Sequence, residues 1–158
     1  VRQEPTPSVV IVFDTMWHSS EAMAAAVAEG VRLRGLRAKV FNMHSSHRSD
    51  VATEIMNAGA LVIGSPTLNS GVFPTVADIL TYVRGLKPQN LIGAVFGSYG
   101  WNRKAIDELH RYVDETGIEL VADDVTAKYV PDSSTLMACR RLGQTVSDEL
   151  NKRIEGQD

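Results

Sequence analysis

Cysteine is nearly missing from this sequence, since Cys139 is the single one among 158 residues. A lone cysteine can form no internal disulfide, which excludes a disulfide-stabilised scaffold and favours a cytoplasmic location. No apolar run approaches the roughly 18 residues of a membrane-spanning helix. Lysine and arginine do not cluster, and 16 basic against 19 acidic side chains give a net charge of -3. Nucleic acid and membranes are therefore poor candidates as partners.

The length is that of one domain, for which roughly 100 to 200 residues are usual. Residues 1–7 contain Pro5 and Pro7 and are predicted to be a linker or a remnant of processing, while residues 8–155 form the domain. No segment repeats at a fixed period, and none has low complexity. Solenoid and disordered architectures are thereby excluded.

Short β-branched apolar runs alternate with helical patterns along the whole chain. Strands are predicted at residues 8–13, 38–42, 60–64, 91–97 and 118–121, with an extension of the last toward Tyr129. Helices are predicted at residues 20–34, 50–57, 74–84, around 106–113 and at 133–153, with stops at Gly35 and Gly117. This alternation predicts a doubly wound α/β fold, in which a parallel sheet has helices on both faces. Ligands bind such sheets beyond the carboxyl ends of the strands, here in the loops after the first, third and fourth.

The first of these loops, residues 14–20 (DTMWHSS), leads directly into a helix N-terminus. Unpaired N–H groups and the positive end of the helix dipole suit a phosphate there. The hydroxyls of Thr15, Ser19 and Ser20 would add neutral donors. The ordinary alternative is that Ser19 or Ser20 is only the N-cap of the helix.

The other two loops have the residues to contact a flat ligand. In residues 65–71 (SPTLNSG), Thr67, Asn69 and the backbone could meet the edge of a planar heterocycle, although the same residues suit a plain turn. In residues 97–101 (GSYGW), Tyr99 and Trp101 could stack on such a ring, although aromatic residues at strand ends often serve packing alone.

Taken together, the three loops resemble those of the flavodoxin-like domain of the flavodiiron (A-type flavoprotein) family. The matching segments are DTMWHSS at 14–20, SPTLN at 65–69 with Pro74 following, and FGSYGW at 96–101. Each segment is weak evidence alone, but all three stand in order at the expected strand ends. The resemblance implies a flavodoxin-like, five-stranded parallel sheet of order 2-1-3-4-5.

The resemblance also implies a noncovalently bound FMN and a role in electron transfer. The implied phosphate-binding residues are Thr15, Met16, Trp17, His18, Ser19 and Ser20, and the ring would lie between Pro66, Thr67, Leu68, Asn69 and Ser98, Tyr99, Gly100, Trp101. Electrons would come from a rubredoxin or a flavin reductase. They would pass to a diiron domain, upstream in the parent chain or in a partner protomer, that reduces oxygen or nitric oxide. No catalytic residue is expected in this chain, and no metal site, because His18, His44, His47 and His110 form no credible ligand set.

One departure from the family pattern follows Trp101, where a small residue and glycine are usual but Asn102, Arg103 and Lys104 stand. It leaves open a flavin-free docking or assembly domain of the same fold. Other classes lack their motifs. A response-regulator receiver would need an aspartate where Gly64 and Ser65 end the third predicted strand, and the dinucleotide, P-loop and serine-hydrolase signatures are all missing.

Overall fold

The computed structural model describes residues 5–14, 19–68, 71–72, 74–99, 104–128 and 131–156. The strands are β1 (Ser8–Phe13), β2 (Arg37–Asn42), β3 (Ala60–Leu68), β4 (Gly71–Val72), β5 (Ile92–Tyr99), β6 (Glu119–Leu120) and β7 (Val125–Lys128), and the helices are α1 (Ser19–Leu33), α2 (Arg48–Met56), α3 (Pro74–Leu86), α4 (Lys104–Thr116) and α5 (Ser133–Glu155). The predicted helix stops are confirmed, because Gly35 and Gly117 have φ values of +78° and +85°.

The parallel strands lie in the order β2-β1-β3-β5-β6, and β7 also pairs with β5. Because β6 pairs with the start of β5 and β7 with its end, the two are halves of one broken edge strand. The predicted order and the α/β fold are therefore confirmed. The extension beyond the predicted fifth strand exists, and residues 121–124 interrupt it.

The third strand is longer than its prediction. Residues 65–68 were expected in a loop because proline, asparagine and glycine cluster there, but they continue β3. Ser65 and Pro66 pair with β5, and Thr67 and Leu68 pair with the short antiparallel β4. Pairing with neighbours keeps this backbone extended and overrides the local turn preference.

Alternate strand residues feed two apolar layers, as expected of a sheet covered on both faces. Val9 and Ile11 of β1 pack with α1 and α5. Val10 and Val12 pack with α2, α3 and α4. On α3 the apolar residues that recur at helical spacing are all buried: Val76, Ile79, Leu80 and Val83. In the part of the chain that the structure describes, no helix is long and apolar enough to cross a membrane.

Two glycines allow α1 and α5 to touch through their backbones. A Cβ at Gly30 would lie 2.0 Å from the carbonyl oxygen of Arg140, and one at Gly143 would lie 2.2 Å from that of Val27. Cys139 lies fully buried in the same layer, and burial raises the pKa of its thiol to about 12. The thiol is thus protonated and shielded, and Cys139 packs as a small apolar residue. The close approach at Gly30 and Gly143 fixes α1 against α5.

Candidate functional site

The carboxyl ends of β1, β3 and β5 meet at one edge of the sheet. The register pairs Phe13 with Gly64, and Gly64 with Phe96. From that level β3 and β5 continue side by side, with Pro66 opposite Ser98. The structure therefore brings Asp14, the end of β3 and the end of β5 to the same edge, which is where such folds bind ligands.

The predicted site residues divide into three groups. Outside the described residues lie Thr15, Met16, Trp17, His18, Asn69, Gly100 and Trp101. The backbone is placed for Ser19, which begins α1, for Pro66, Thr67 and Leu68, which end β3, and for Tyr99, which ends β5. Side-chain burial is given for Ser20 and Ser98, which are 0% and 5% exposed.

Ser20 carries the clearest chemical signal. It lies in the first turn of α1, and its buried hydroxyl oxygen has no hydrogen-bond partner among the described residues. A buried hydroxyl without a partner costs about 1–3 kcal/mol, and such groups in native proteins call for a missing partner such as a ligand. An N-cap serine would instead accept a bond from an N–H of the first turn. The N-cap alternative is not supported for Ser20, and its hydroxyl is suited to a phosphate at this helix N-terminus.

Two further serines line the strand ends. Ser65, on β3, is 3% exposed and lies beside Gly97 of β5, next to the Pro66–Ser98 pair. Ser65 pairs with Gly97 and Ser98 pairs with Pro66, so the two serine side chains lie on opposite faces of the sheet, one on each side of its carboxyl edge. Ser65 was not among the predicted binding residues, although its place after an apolar run could have indicated it.

Sequence reasoning also missed a hydrogen bond between the end of β1 and the start of α3. Asp14, directly after β1, is 1% exposed, and the hydroxyl of Thr75 in the first turn of α3 donates a hydrogen bond to its carboxylate. A helix N-terminus stabilises a nearby carboxylate. In the sequence, Asp14 could have been singled out as an acidic residue directly after a strand that is buried throughout. Nothing in the sequence indicated its partner Thr75, which lies 61 residues away.

The histidines that the structure describes have ordinary structural partners. His47 caps α2, its Nδ1 accepting from the N–H of Ser49 at 3.2 Å. Nε2 of His110 lies 2.5 Å from a carboxylate oxygen of Asp124, in the break between β6 and β7. The backbone N–H of His44 donates to the side chain of Asn42. Within the described ranges, no group of three or more metal-ligating side chains is found.

The sequence model of the flavodoxin family matches residues 11–143 of this chain. The chain belongs to the flavodoxin family. Membership implies FMN as its cofactor and electron transfer as its role, so both predictions are confirmed. The buried, unpartnered Ser20 hydroxyl at a helix N-terminus fits the phosphate of that cofactor.

The relatives confirm the resemblance to flavodiiron proteins. The chain is 39% identical over 152 residues to the rubredoxin-oxygen oxidoreductase of Megalodesulfovibrio gigas, covering 96% of this chain and 38% of the relative. It is 39% identical over 139 residues to a nitric oxide reductase of Moorella thermoacetica, and the match covers 87% of this chain and 35% of the relative. The chain thus spans little more than a third of these curated relatives.

Solved structures agree. The rubredoxin oxygen:oxidoreductase from Desulfovibrio gigas superposes with a TM-score of 0.93 at 39% identity, over 96% of this chain and 38% of that one. The flavodiiron protein of Giardia intestinalis superposes with a TM-score of 0.90 at 28% identity, over 98% of this chain and 38% of that one. A flavodoxin from the Archaea superposes with a TM-score of 0.78 at 24% identity, over 91% of this chain and 99% of that one. This likeness shows the shared fold alone.

Proposed function

We propose that this domain binds FMN at the edge formed by β1, β3 and β5 and relays electrons within a flavodiiron reductase. The observation that carries the proposal is the fully buried, unpartnered hydroxyl of Ser20 at the start of α1. FMN, when bound, supplies one- and two-electron transfer, while the protein supplies position and electrostatics.

In this proposal, residues 15–20 and the N-terminus of α1 hold the phosphate, with Ser20 as a hydroxyl donor. Residues 66–69 and 98–101 flank the ring. Two features of the described structure favour a rigid site: α1 is fixed against α5 at Gly30 and Gly143, and β3 and β5 stay paired up to Pro66 and Ser98. Binding groups on such elements need little reorganisation when a ligand arrives.

The electron donor and acceptor are proposed by class. Two relatives, a rubredoxin-oxygen oxidoreductase and a nitric oxide reductase, support by their names a rubredoxin-type donor and oxygen or nitric oxide as the final acceptor. The proposal assigns the diiron centre to the part of such proteins that this chain does not span. It also includes a cytoplasmic location, since the lone Cys139 is a buried, free thiol.

The test is the visible spectrum of the purified chain after FMN is added and the excess removed by gel filtration. A retained oxidised-flavin spectrum that dithionite bleaches is expected. A colourless protein would refute the proposal and favour the flavin-free docking domain. With FMN bound, reduced rubredoxin should bleach the flavin in a stopped-flow experiment, while the chain alone should turn over neither oxygen nor nitric oxide.

A further inference from the structure

We propose that Asp14 is a positioning residue of the flavin site: its carboxylate, bound by Thr75, fixes the start of the phosphate loop relative to α3 and thereby to the ring-binding segment. The inference rests on the proposed function. It concerns residues that were not predicted to touch the cofactor and assigns them a role in spacing its two binding regions.

The position of Asp14 is set by its neighbours in the sheet. β1 pairs with β2 and β3 up to Phe13, and the carbonyl oxygen of Phe13 accepts a 2.7 Å bond from the N–H of Met43. The carboxylate that follows is 1% exposed. Burying a carboxylate costs several kcal/mol unless hydrogen bonds compensate, so packing alone would be served better by an apolar residue.

The position of Thr75 is likewise fixed, by the packing of α3 on the core. It is partly buried in the first turn of α3, and the next residue, Val76, is fully buried in the core, as is Ile79 one turn on. The hydroxyl of Thr75 therefore donates from a fixed helix to a fixed strand end. The bond directly joins Asp14, the last described residue before position 15, to α3.

This connection matters for a ligand that has two binding regions. A phosphate group and a flavin ring within one molecule gain from binding together only when their two subsites have the right spacing. If the Asp14–Thr75 bond maintains that spacing, its loss reduces what the phosphate adds to affinity. If the bond serves stability alone, its loss lowers the unfolding temperature and affects ligands with and without the phosphate equally.

The experiment compares FMN with riboflavin, which has the ring but no phosphate. Both are titrated by fluorescence into the apo forms of the wild type, Thr75→Val, Thr75→Ser and Asp14→Asn, and each apo protein is also unfolded thermally. For Thr75→Val, FMN binding should weaken by at least threefold and at most about tenfold, the upper limit being the full contribution of one hydrogen bond to a charged group, while riboflavin binding stays within about twofold. Thr75→Ser keeps the hydroxyl and should bind FMN within about twofold of the wild type.

Asp14→Asn supplies a second measurement in case Thr75→Val does not fold. Its amide oxygen can still accept from Thr75 but without the charge, so FMN binding should weaken about threefold, again without a matching loss for riboflavin. Unchanged FMN affinity in the variants, or an equal loss for both ligands, overturns the inference while the wild type still binds FMN. A wild type that retains no FMN overturns the proposed function and this inference with it.

Discussion

Replacing Ser20 with alanine should change stability and ligand binding in opposite directions. In the apo protein, the Ser20 hydroxyl is fully buried and has no partner among the described residues. Its removal relieves a desolvation cost of about 1–3 kcal/mol. At about 2–4 °C per kcal/mol for a domain of this size, the apo unfolding temperature should rise by about 2–12 °C.

FMN binding should weaken by the same substitution. A hydrogen bond to a charged group contributes about 1.5–3 kcal/mol, which corresponds to a roughly 10- to 150-fold increase in Kd. The assays are thermal unfolding of the apo protein and fluorescence titration with FMN. A purely structural serine would not combine higher apo stability with weaker binding.

Ser147→Ala is a matched control. Ser147 is also fully buried with an unpartnered hydroxyl among the described residues. It lies one turn before Leu150, whose side chain packs against Gly59 at the opposite end of the sheet. Its replacement should alter stability comparably and leave FMN affinity unchanged. If Ser20→Ala binds FMN as tightly as the wild type does, or if both variants lose affinity equally, the phosphate is not held by Ser20.

Three further predictions concern stability and reactivity. Gly143→Ala drives a methyl group into a backbone carbonyl and should destabilise the protein by about 1–3 kcal/mol in urea unfolding. Gly85→Ala, also in a helix but with nothing within 4 Å, should be neutral or stabilising, and equal losses would contradict the reasoning. Asp132, the N-cap of α5, has a pKa lowered from 3.8 by the bonds it accepts from Thr135. Its charge-dependent stabilisation is therefore present above that value and is lost as pH falls through the lower folded pKa, so Asp132→Ala should lower the melting temperature more at pH 7 than at pH 2, and a constant difference would refute this. Cys139, buried and with its pKa raised to about 12, should resist thiol reagents until the protein unfolds, and rapid labelling of the native protein would show the burial to be wrong.

The local sequence pattern was sufficient to predict a strand or helix wherever that element buries one regular face. The first strand has its predicted bounds because every residue of 8–13 is apolar or small and all are buried. The inward residues of α3 followed from their helical spacing in the same way. Periodicity reports burial, and burial dominates in such elements.

Prediction failed where a distant partner decides the conformation. Residues 65–68 have the composition of a turn but are extended by pairing with β5 and β4. The Asp14–Thr75 bond joins residues 61 positions apart, and nothing in the sequence pairs them. The burial of Ser20 likewise depends on packing around α1, so the loop could be predicted as a phosphate site but the unpartnered hydroxyl could not.

The glycine contact between α1 and α5 has a consequence for biosynthesis. Val27 and Gly143 touch although more than a hundred residues separate them, so α1 has no cover on that side until the ribosome has released α5. Contacts of such long sequence separation slow folding, and the apolar surface exposed meanwhile favours aggregation. The apolar face of α1 is therefore expected to stay exposed until the chain through α5 has left the exit tunnel.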